Sequence, residues 1–317
     1  MKRIFKISFF SLIGLLTIVY FLGIGWHFLY SPQIAELNVT EPVETYVLNK
    51  EDQVQNIKNG NKAEILRIQG QKKTAFAFVY LHGFSASPKE VSPLVENLSS
   101  EFKFNAYFAR LKDHGVKNSM MLNVTADDLF TDAEEAYQIG KKLGDQVILV
   151  GTSTGATLAL WLAQKHNDIA GLVLISPNIG VYDKRGVLSS GPVGALIARA
   201  VVGPVYSWTP KHAHQEDFWT TSYHPRGISA MMNVVREVEM ADFSSIQIPT
   251  ITLWTPLDKV VNIQKAIEKI KSMGSPKNEF IEFNTPEHVL AGAITAPKNI
   301  EPAFLALSRF IKDVRGF

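Results

Sequence analysis

The most constraining feature of this chain is the sequence GTSTG at residues 151–155, which stands between an apolar run typical of a buried strand and a run typical of a helix. A G-x-S-x-G sequence in this strand–turn–helix context holds a serine hydroxyl on a tight, strained turn at the edge of a sheet. Its glycines lack a Cβ, so the strand can turn sharply into the helix. The amino end of that helix favours negative charge on a substrate oxygen. Ser153 therefore indicates covalent catalysis, provided that the chain also supplies a base and an acid.

Strand and helix signals alternate along the rest of the chain. Strands are predicted at 63–68, 75–81, 105–110, 146–150, 171–175, 250–254 and 279–283. Helices are predicted at 87–100, 125–144, 154–165, 227–238, 263–273 and 300–314, with a short one at 51–58. The helix that starts at Ser87 has a cap serine followed by Pro88 and by the carboxylate of Glu90, a typical N-terminal pattern. The alternation predicts an α/β fold whose mostly parallel sheet has helices on both faces.

One interval is too long for a single crossover. Between the fifth and sixth predicted strands lie roughly seventy residues, whereas connections in compact domains usually take far fewer. The stretch 181–223 contains an apolar segment, 193–202, followed by Trp208 and Trp219. We therefore predict a helical cap inserted at about 181–223 over the carboxyl edge of the sheet. The two tryptophans either line an apolar acyl pocket or only form the small core of the cap.

A base and an acid follow Ser153 in the order that such a site requires, namely serine, acid, histidine. A serine hydroxyl is a poor nucleophile near neutral pH, so it needs a positioned base, and the base needs an orienting carboxylate. Asp258 comes just after the predicted strand 250–254, and His288 comes just after 279–283. Because parallel strands end at the same edge of a sheet, both side chains are expected on the edge that carries Ser153.

The sequence LHGFS at residues 81–85 closes the second predicted strand. Its glycine lets the backbone approach a substrate, so the amides of Phe84 and Thr154 are expected to hold the tetrahedral oxyanion together. His82 is expected to form structural hydrogen bonds below this loop, with substrate contact as the alternative. Ser85 either adds a hydroxyl to the oxyanion or caps the loop.

Other polar side chains offer alternative chemistry. Glu287 and Asp113 are rival acids, although Glu287 adjoins the base and is poorly placed to accept a hydrogen bond from its far ring nitrogen. His212 and His214 lie near Asp217, but a metal site would need further closely spaced ligands. We therefore expect no metal and no cofactor.

Taken together, these motifs resemble the α/β-hydrolase superfamily, in particular its carboxylesterase and monoacylglycerol lipase-like branch, which is also grouped with the serine aminopeptidases of type S33. The resemblance extends from about residue 63 to the carboxyl terminus. It rests on HGF at 82–84, RLKDHG at 110–115, GTSTG at 151–155, Asp258 followed by VV at 260–261, and HVL at 288–290. Relatives often have glycine at the positions of Asp113 and Thr255, so the pocket wall and the position of the acid loop could differ here.

The resemblance implies both a fold and a set of roles. The fold is that of an α/β hydrolase with a helical cap. Ser153 is implied as the nucleophile, His288 as the base and Asp258 as the residue that orients the base. The amides of Phe84 and Thr154 are implied as the oxyanion hole.

The amino-terminal part carries a long apolar segment. No Lys, Arg, Asp or Glu occurs between Lys6 and Glu36, and 7–30 is almost wholly apolar. A span of roughly 20 apolar residues crosses a bilayer as a helix, and the basic residues before it predict a cytoplasmic amino terminus. A cleaved signal peptide, with the small residues at 23–25 as its cleavage site, is the alternative. Both interpretations place the catalytic domain outside the cytoplasm, in the periplasm or the extracellular space, and cleavage would make it secreted.

The domain organisation and the composition limit the classes of function that this chain can have. We predict a transmembrane anchor at 1–31, a polar stalk at 32–61 and a hydrolase domain at 62–317. With 317 residues, 46% of them hydrophobic, the chain can hold one large α/β domain with an insertion, or two small domains. The absence of Cys excludes disulfides, thiolate metal sites and a cysteine nucleophile. A formal charge of +2 with scattered basic residues gives no reason to expect nucleic acid.

The expected function is that of a membrane-anchored serine hydrolase. It would cleave carboxylic esters with lipidic or medium-chain acyl groups through an acyl-enzyme on Ser153. An envelope acyltransferase or a serine aminopeptidase could use the same triad, and a non-catalytic hydrolase-like binding protein is the alternative from another class. The expected partners are a small-molecule or lipid ester and the membrane, without nucleic acid. The sequence makes no prediction of oligomeric state.

Overall fold

The described part of the chain is built from one large sheet and the helices around it. The computed structural model describes residue 14 and residues 30–68, 70, 72–314 and 316. The strands in that part are β1 (Glu64–Leu66), β2 (Thr74–Leu81), β3 (Asn105–Ala109), β4 (Gly144–Thr152), β5 (Ile169–Ile175), β6 (Tyr206–Ser207), β7 (Ser222–Tyr223), β8 (Thr250–Trp254) and β9 (Asn278–Glu282). The helices there are α1 (Val43–Asp52), α2 (Leu94–Phe102), α3 (Ala126–Leu143), α4 (Thr154–Lys165), α5 (Gly194–Val202), α6 (Gln215–Phe218), α7 (Pro225–Met240), α8 (Ile263–Lys271) and α9 (Ile300–Val314). Short 3₁₀ helices lie at Lys184–Ser189 and Pro297–Asn299.

Seven of the described strands form one sheet in the order β1-β3-β2-β4-β5-β8-β9, and β6 pairs with β7 in a separate hairpin. β1 runs antiparallel to β3, whereas every other neighbouring pair in the large sheet is parallel. The mostly parallel sheet predicted from the alternating signals is therefore confirmed. Helices cover both faces, with α3, α4 and α8 in one buried core and α2 and α9 in the other.

The register of the central strands brings their carboxyl ends to one edge. Leu81 at the end of β2 is level with Gly151 in β4, and Thr152 at the end of β4 is level with Ile175 at the end of β5. β8 and β9 also end side by side. The loops after β2, β4, β5, β8 and β9 therefore meet above the same edge, which is where open parallel sheets bind their ligands.

α4 is an unusually well-buried helix. Every residue from 154 to 163 is buried. A helix that is apolar all round belongs in the interior of a large domain rather than on its surface. Packed in this way, α4 provides a rigid base for the turn that precedes it.

Two predicted helices begin at the wrong place. The helix predicted at 87–100 starts only at Leu94, because the Glu90 side chain turns inward to the loop after β2 instead of capping a helix. The helix predicted at 51–58 is replaced by α1, which ends at Asp52. Beyond α1, Ile57 forms an isolated antiparallel bridge with Val116, and this tertiary pairing competes with helix continuation.

The predicted transmembrane segment lies almost entirely outside the described residues. Within the part of the chain that the structure describes, no helix is both long enough and apolar enough to span a bilayer. The polar segment predicted as a stalk contains α1, whose Val43 and Val47 are buried in the core on the α3 side of the sheet. The Glu51 carboxylate makes two hydrogen bonds of 2.8 and 2.9 Å to the buried guanidinium of Arg110. This segment is therefore packed onto the domain.

The long interval between β5 and β8 forms the helices and hairpin above the carboxyl edge. The predicted apolar stretch at 193–202 becomes α5, and the β6–β7 hairpin encloses α6. α7 follows and packs against both α4 and α5. We keep the name cap for residues 181–223.

Candidate active site

Ser153 occupies a strained turn between β4 and α4. Its backbone has φ 53° and ψ −117°, a conformation that costs a non-glycine residue on the order of 1–3 kcal/mol. A Cβ added to Gly155 would lie only 1.9 Å from the carbonyl oxygen of Leu81, and one added to Gly151 would lie 2.5 Å from the Gly155 carbonyl oxygen. Both glycines are thus required by close backbone packing. The Ser153 amide donates to the Ile175 carbonyl at 2.8 Å, which fixes the turn to β5.

His288 and Asp258 form a hydrogen-bonded pair above the same edge. The Nδ1–H of His288 donates to Oδ2 of Asp258 at 2.7 Å. The other carboxylate oxygen accepts from the amides of Val260 at 2.7 Å and Val261 at 3.0 Å. Burial alone would raise the pKa of Asp258, but His288 and the two amides together lower it below the usual carboxyl value. Asp258 is thus held as a carboxylate that orients the imidazole.

Two hydroxyl groups fix the loops that carry this pair. The Thr255 hydroxyl donates to the carbonyl of Thr285 at 2.7 Å and so joins the loop after β8 to the loop after β9. The Ser176 hydroxyl donates to the His288 carbonyl at 2.6 Å. Because Ser176 follows the residue that accepts from the Ser153 amide, β5 links the serine turn to the histidine loop. The threonine found where relatives often have glycine therefore contributes a bond that glycine cannot make.

Several polar groups on the loops at this edge are not used in other hydrogen bonds. Nε2 of His288 is buried and has no hydrogen-bond partner among the described residues. A Cβ on Gly83 would lie 3.2 Å from the Ser153 Cβ, so the loop after β2 runs directly beside the serine. In the described part of the chain, neither the Phe84 amide nor the Thr154 amide is used in another hydrogen bond. These amides are the donors that sequence reasoning assigned to an oxyanion.

His82 and Ser85 make hydrogen bonds that fix the 82–85 loop. Nδ1–H of His82 donates to the Gly83 carbonyl at 2.8 Å, and Nε2 accepts from the Leu111 amide at 3.1 Å. Burial holds the pKa of His82 well below its usual value, so the ring is neutral. With both nitrogens occupied, His82 fits the structural role rather than the tentative substrate contact. Ser85 has φ 67° and accepts at its carbonyl from the Thr220 amide of the cap.

A buried carboxylate beneath the 82–85 loop was not recognised from the sequence. Glu90 is 2% exposed, and its Oε2 accepts from the Gly83 amide at 2.7 Å and from the Tyr80 hydroxyl at 2.8 Å. The Tyr80 hydroxyl also lies 3.1 Å from Oγ1 of Thr152, the residue before Ser153. Burial raises the pKa of Glu90 to about 7, although both hydrogen bonds and the charge of His288 oppose the shift. The only sequence signal was its place in an apparent helix cap, which points to a different role.

A match to a known family accompanies this geometry. A family model described as serine aminopeptidase, S33, matches residues 72–292, which is more than half of the chain. The chain belongs to this family. The superfamily and branch indicated by the sequence motifs are therefore confirmed.

Relatives of this S33 protein include lipolytic enzymes. A thermostable monoacylglycerol lipase of Bacillus sp. (strain H-257) is 33% identical over 101 residues, a stretch that covers 32% of this chain and 40% of the lipase. The structure from work on the metagenome-derived lipolytic enzymes LipS and LipT aligns with a TM-score of 0.67 at 16% identity, over 83% of this chain and 100% of that one. A soluble variant of monoglyceride lipase from Saccharomyces cerevisiae aligns with a TM-score of 0.58 at 13% identity, over 80% and 91% of the two chains. The structural matches establish the α/β-hydrolase fold.

The S33 protein has an apolar wall beside the serine that involves α7. The Phe84 ring packs edge-on against His114 and Tyr223, with centroid distances of 5.5 and 5.3 Å. It also packs on a cluster from α7 that includes Met231. The side-chain Nδ2 of Asn178 lies 3.5 Å from the Met231 sulfur and 3.5 Å from Oγ1 of Thr154, at the amino end of α4. The sequence offered the cap tryptophans either as an acyl pocket or as the core of the cap, and it did not indicate Met231.

The two cap tryptophans lie at different depths. Trp219 is buried in the core that also contains Val289 and Leu290, the residues after His288. Trp208 is only partly buried, and its amide donates to the Thr221 carbonyl at 3.0 Å. Packing in the core accounts for the Trp219 side chain without a substrate.

The cap histidines are paired with carboxylates. Nε2 of His212 lies 3.1 Å from the carboxylate of Glu287, and Nδ1 of His214 lies 3.1 Å from that of Asp217. Glu287, the rival acid, thus faces the cap while Asp258 holds His288. Asp113, the other rival, accepts from the Asn123 amide at 3.0 Å within its own loop. Among the described residues, no three His, Cys, Asp or Glu side chains come together in a group that could hold a metal ion.

Proposed function

We propose that this protein is a serine hydrolase that cleaves carboxylic esters through an acyl-enzyme on Ser153. The observation that carries the proposal is the Asp258–His288 pair, at 2.7 Å, on the sheet edge that also holds the strained Ser153 turn. With Nδ1 engaged by the carboxylate, the imidazole presents Nε2 for proton transfer, which is the arrangement required of a general base.

The reaction follows from these groups in two steps. Ser153 Oγ attacks the ester carbonyl carbon while Nε2 of His288 takes the hydroxyl proton, and the oxyanion accepts hydrogen bonds from the amides of Phe84 and Thr154. Collapse of the tetrahedral intermediate breaks the bond to the alkoxy oxygen, which leaves as the alcohol with the proton from the imidazolium. Water then attacks the acyl-enzyme with the same base and releases the carboxylic acid. No metal or cofactor enters these steps.

The substrate class that we propose is a lipidic or medium-chain acyl ester. The apolar wall of Phe84 and Met231 next to the serine suits an acyl chain, since binding pockets for such groups are lined mainly by apolar side chains. The lipolytic character named for its relatives supports the same choice. The cap would close over the chain of the substrate.

Activity-based labelling and turnover test this proposal. The full chain in detergent is treated with a fluorophosphonate probe and with p-nitrophenyl esters of graded chain length. We expect labelling and hydrolysis, with a preference for medium acyl chains, and loss of both in Ser153→Ala. A wild-type protein that neither labels nor turns over would refute the catalytic proposal in favour of a binding protein, and labelling that survives Ser153→Ala would refute the nucleophile.

A second candidate is an aminopeptidase, which the description of the matching family favours. The same triad can attack an amide, but an exopeptidase also has to bind the free α-amine of its substrate. Aminoacyl p-nitroanilides tested beside the esters distinguish the two activities. Transfer of the acyl group to an added alcohol in place of water would identify an acyltransferase instead.

We also propose that 7–30 anchors the protein in a membrane with the hydrolase domain on the extracytoplasmic side. The support is the charge-free apolar run and the basic residues before it. Carbonate extraction of membranes and protease protection of the domain in intact cells test the anchor and its orientation. Release of the protein by carbonate would contradict the anchor, and a mature form lacking this segment would support the signal peptide.

A further inference from the structure

We propose that residues 56–61, here called the strap, position the cap and the 82–85 loop, with Lys58 as the principal positioning residue. The strap precedes the part of the chain that the family model matches, which begins at residue 72. This inference rests on the proposed esterase function, since one of its readouts is turnover. It adds a role for a segment that the sequence suggests only as a connection.

The strap is fixed to the hydrolase domain along its length. The Lys58 amide donates to the Gly115 carbonyl at 2.7 Å, and the Lys117 amide donates to the Asn56 carbonyl at 2.9 Å. On either side of the strap, the Glu51 carboxylate binds Arg110 and accepts from the Ala63 amide at 3.0 Å. Both ends are thus tied to the same buried ion pair. The strap is therefore fixed to the domain on both sides.

The strap donates hydrogen bonds to the cap at the carboxyl end of α6. Nζ of Lys58 donates to the carbonyls of Glu216 and Trp219, each at 2.8 Å. Between these two contacts, Nδ2 of Asn61 donates to the Asp217 carbonyl at 3.0 Å. The last carbonyls of a helix have no partner within it, and a lysine at that end can satisfy them. The strap supplies donors that α6 itself lacks.

The cap residues that the strap contacts, 216–219, are bonded or packed next to the 82–85 loop and the loop of His288. The Thr220 amide, one residue beyond the Lys58 contact, donates to the Ser85 carbonyl at 2.7 Å. The Trp219 side chain packs in the core that contains Val289 and Leu290, next to His288. A displacement of the end of α6 would therefore be transmitted to the loop that presents the Phe84 amide and to the loop of the base. Misplacement of reacting groups by about 1 Å can reduce rates on the order of 100-fold.

A set of lysine variants in the full chain tests the strap. Lys58→Met keeps the apolar stem and removes the donors, and Lys58→Arg restores donors at the same place. The matched control is Lys62→Met, because the Lys62 ammonium contacts only the exposed carboxylate of Asp52, at 2.8 Å, among the described residues. Turnover of a medium-chain p-nitrophenyl ester and hydrogen–deuterium exchange of residues 215–221 are measured for each variant.

We expect Lys58→Met to lower kcat about tenfold with a smaller change in KM, and to speed exchange in 215–221, since a partial misplacement reaches only part of the full effect. Lys58→Arg should recover most of both losses, and Lys62→Met should match the wild type. The proposal is overturned if Lys58→Met matches Lys62→Met in kcat and in exchange. If the wild type proves inert, the esterase proposal fails while the exchange measurement still decides the strap. Should Lys58→Met fail to fold, Asn61→Ser, which removes the donor to the Asp217 carbonyl, should lower kcat and speed exchange in 215–221, and no change in either would overturn the proposal.

Discussion

The sheet edge that holds the candidate triad and the cap above it are built in opposite ways. At the edge, each loop is fixed by short hydrogen bonds to its neighbours, as Asp258 is by two amides and an imidazole and Ser153 by the end of β5. In the cap, α5 buries only Gly194 and Ala198 and leaves Leu196 70% exposed. The loops of the edge are held by several hydrogen bonds to one another, whereas α5 of the cap leaves much of its apolar surface exposed.

This difference fits the proposed function, in which the edge carries out the chemistry and the cap selects the substrate. A group that must be held within about 0.5 Å for proton transfer needs several restraints, and the sheet edge supplies them. A surface that admits substrates of different shape needs few restraints and exposed apolar area. We therefore expect single substitutions at the edge to change the rate of catalysis strongly, and substitutions of exposed residues on α5 to change stability little.

The largest effect is expected for Asp258→Asn. Oδ1 of Asp258 accepts from two amides, so the asparagine oxygen should keep that side and its NH₂ should face Nδ1 of His288. The imidazole would then carry its proton on Nε2 and could not accept the Ser153 proton, which predicts a roughly 10⁴-fold fall in kcat with little change in fold. Steady-state hydrolysis of a p-nitrophenyl ester measures it. Glu287→Gln is the control and should stay within about threefold of the wild type; equal losses in the two variants would contradict the assignment.

A smaller fall in kcat is expected for Glu90→Leu. Leucine leaves the Gly83 amide and the Tyr80 hydroxyl without their buried acceptor, and the loop that presents the Phe84 amide should shift. Losing an oxyanion donor typically costs about 10²–10³-fold in kcat, and the variant should approach that range. Glu90→Gln is the matched control, because both bonds go to a single oxygen that an amide can retain. If the leucine and glutamine variants have the same kcat, Glu90 does not position the loop.

The pH dependence of stability gives a further test of Glu90. Its pKa is about 7 in the folded state and that of an ordinary glutamate in the unfolded state, so between these values the folded protein binds more protons. Its contribution to stability is therefore present at low pH and is lost as pH rises to about 7. Glu90→Gln should gain stability relative to the wild type over that range, by up to roughly 3–4 kcal/mol.

Urea unfolding of the two proteins at several pH values measures this difference. The buried His114, whose pKa is lowered to about 4, gives the opposite slope, but it is present in both proteins and cancels in the comparison. A difference in unfolding free energy that does not vary with pH would show that Glu90 does not titrate in this way.

The smallest effect is expected for Leu196→Gln in the cap. The leucine is mostly exposed on α5, so its replacement should change the free energy of unfolding by less than about 0.5 kcal/mol. Leu158→Ala in the fully buried α4 is the contrast and should cost about 2–5 kcal/mol. Thermal unfolding monitored by circular dichroism compares the two. A large loss in Leu196→Gln would mean that the cap is packed as tightly as the edge.

Local patterns predicted some elements closely and misplaced others for a clear reason. The strand at 250–254 and the helices at 154–165 and 300–314 have the predicted bounds, because their apolar runs and end signals lie within the segment itself. The pattern from Ser87 to Glu90 carries the same local signal, yet no helix begins there. Its carboxylate is taken by residues that precede it by seven and ten positions, a contact that a helix-capping pattern does not encode.

The sequence by itself determined the order of strands and helices, and with it the placement of Ser153, Asp258 and His288 after the strands that end at one edge. Hydrophobic periodicity and turn residues are local, and the chain order of the candidate nucleophile, acid and base is read directly. Only the tertiary structure decided that Asp258 rather than Glu287 binds the imidazole, that Glu90 turns under the 82–85 loop, and that the strap grips the cap. Each of these is a hydrogen bond between segments distant in the chain, so its existence depends on packing that no single segment contains.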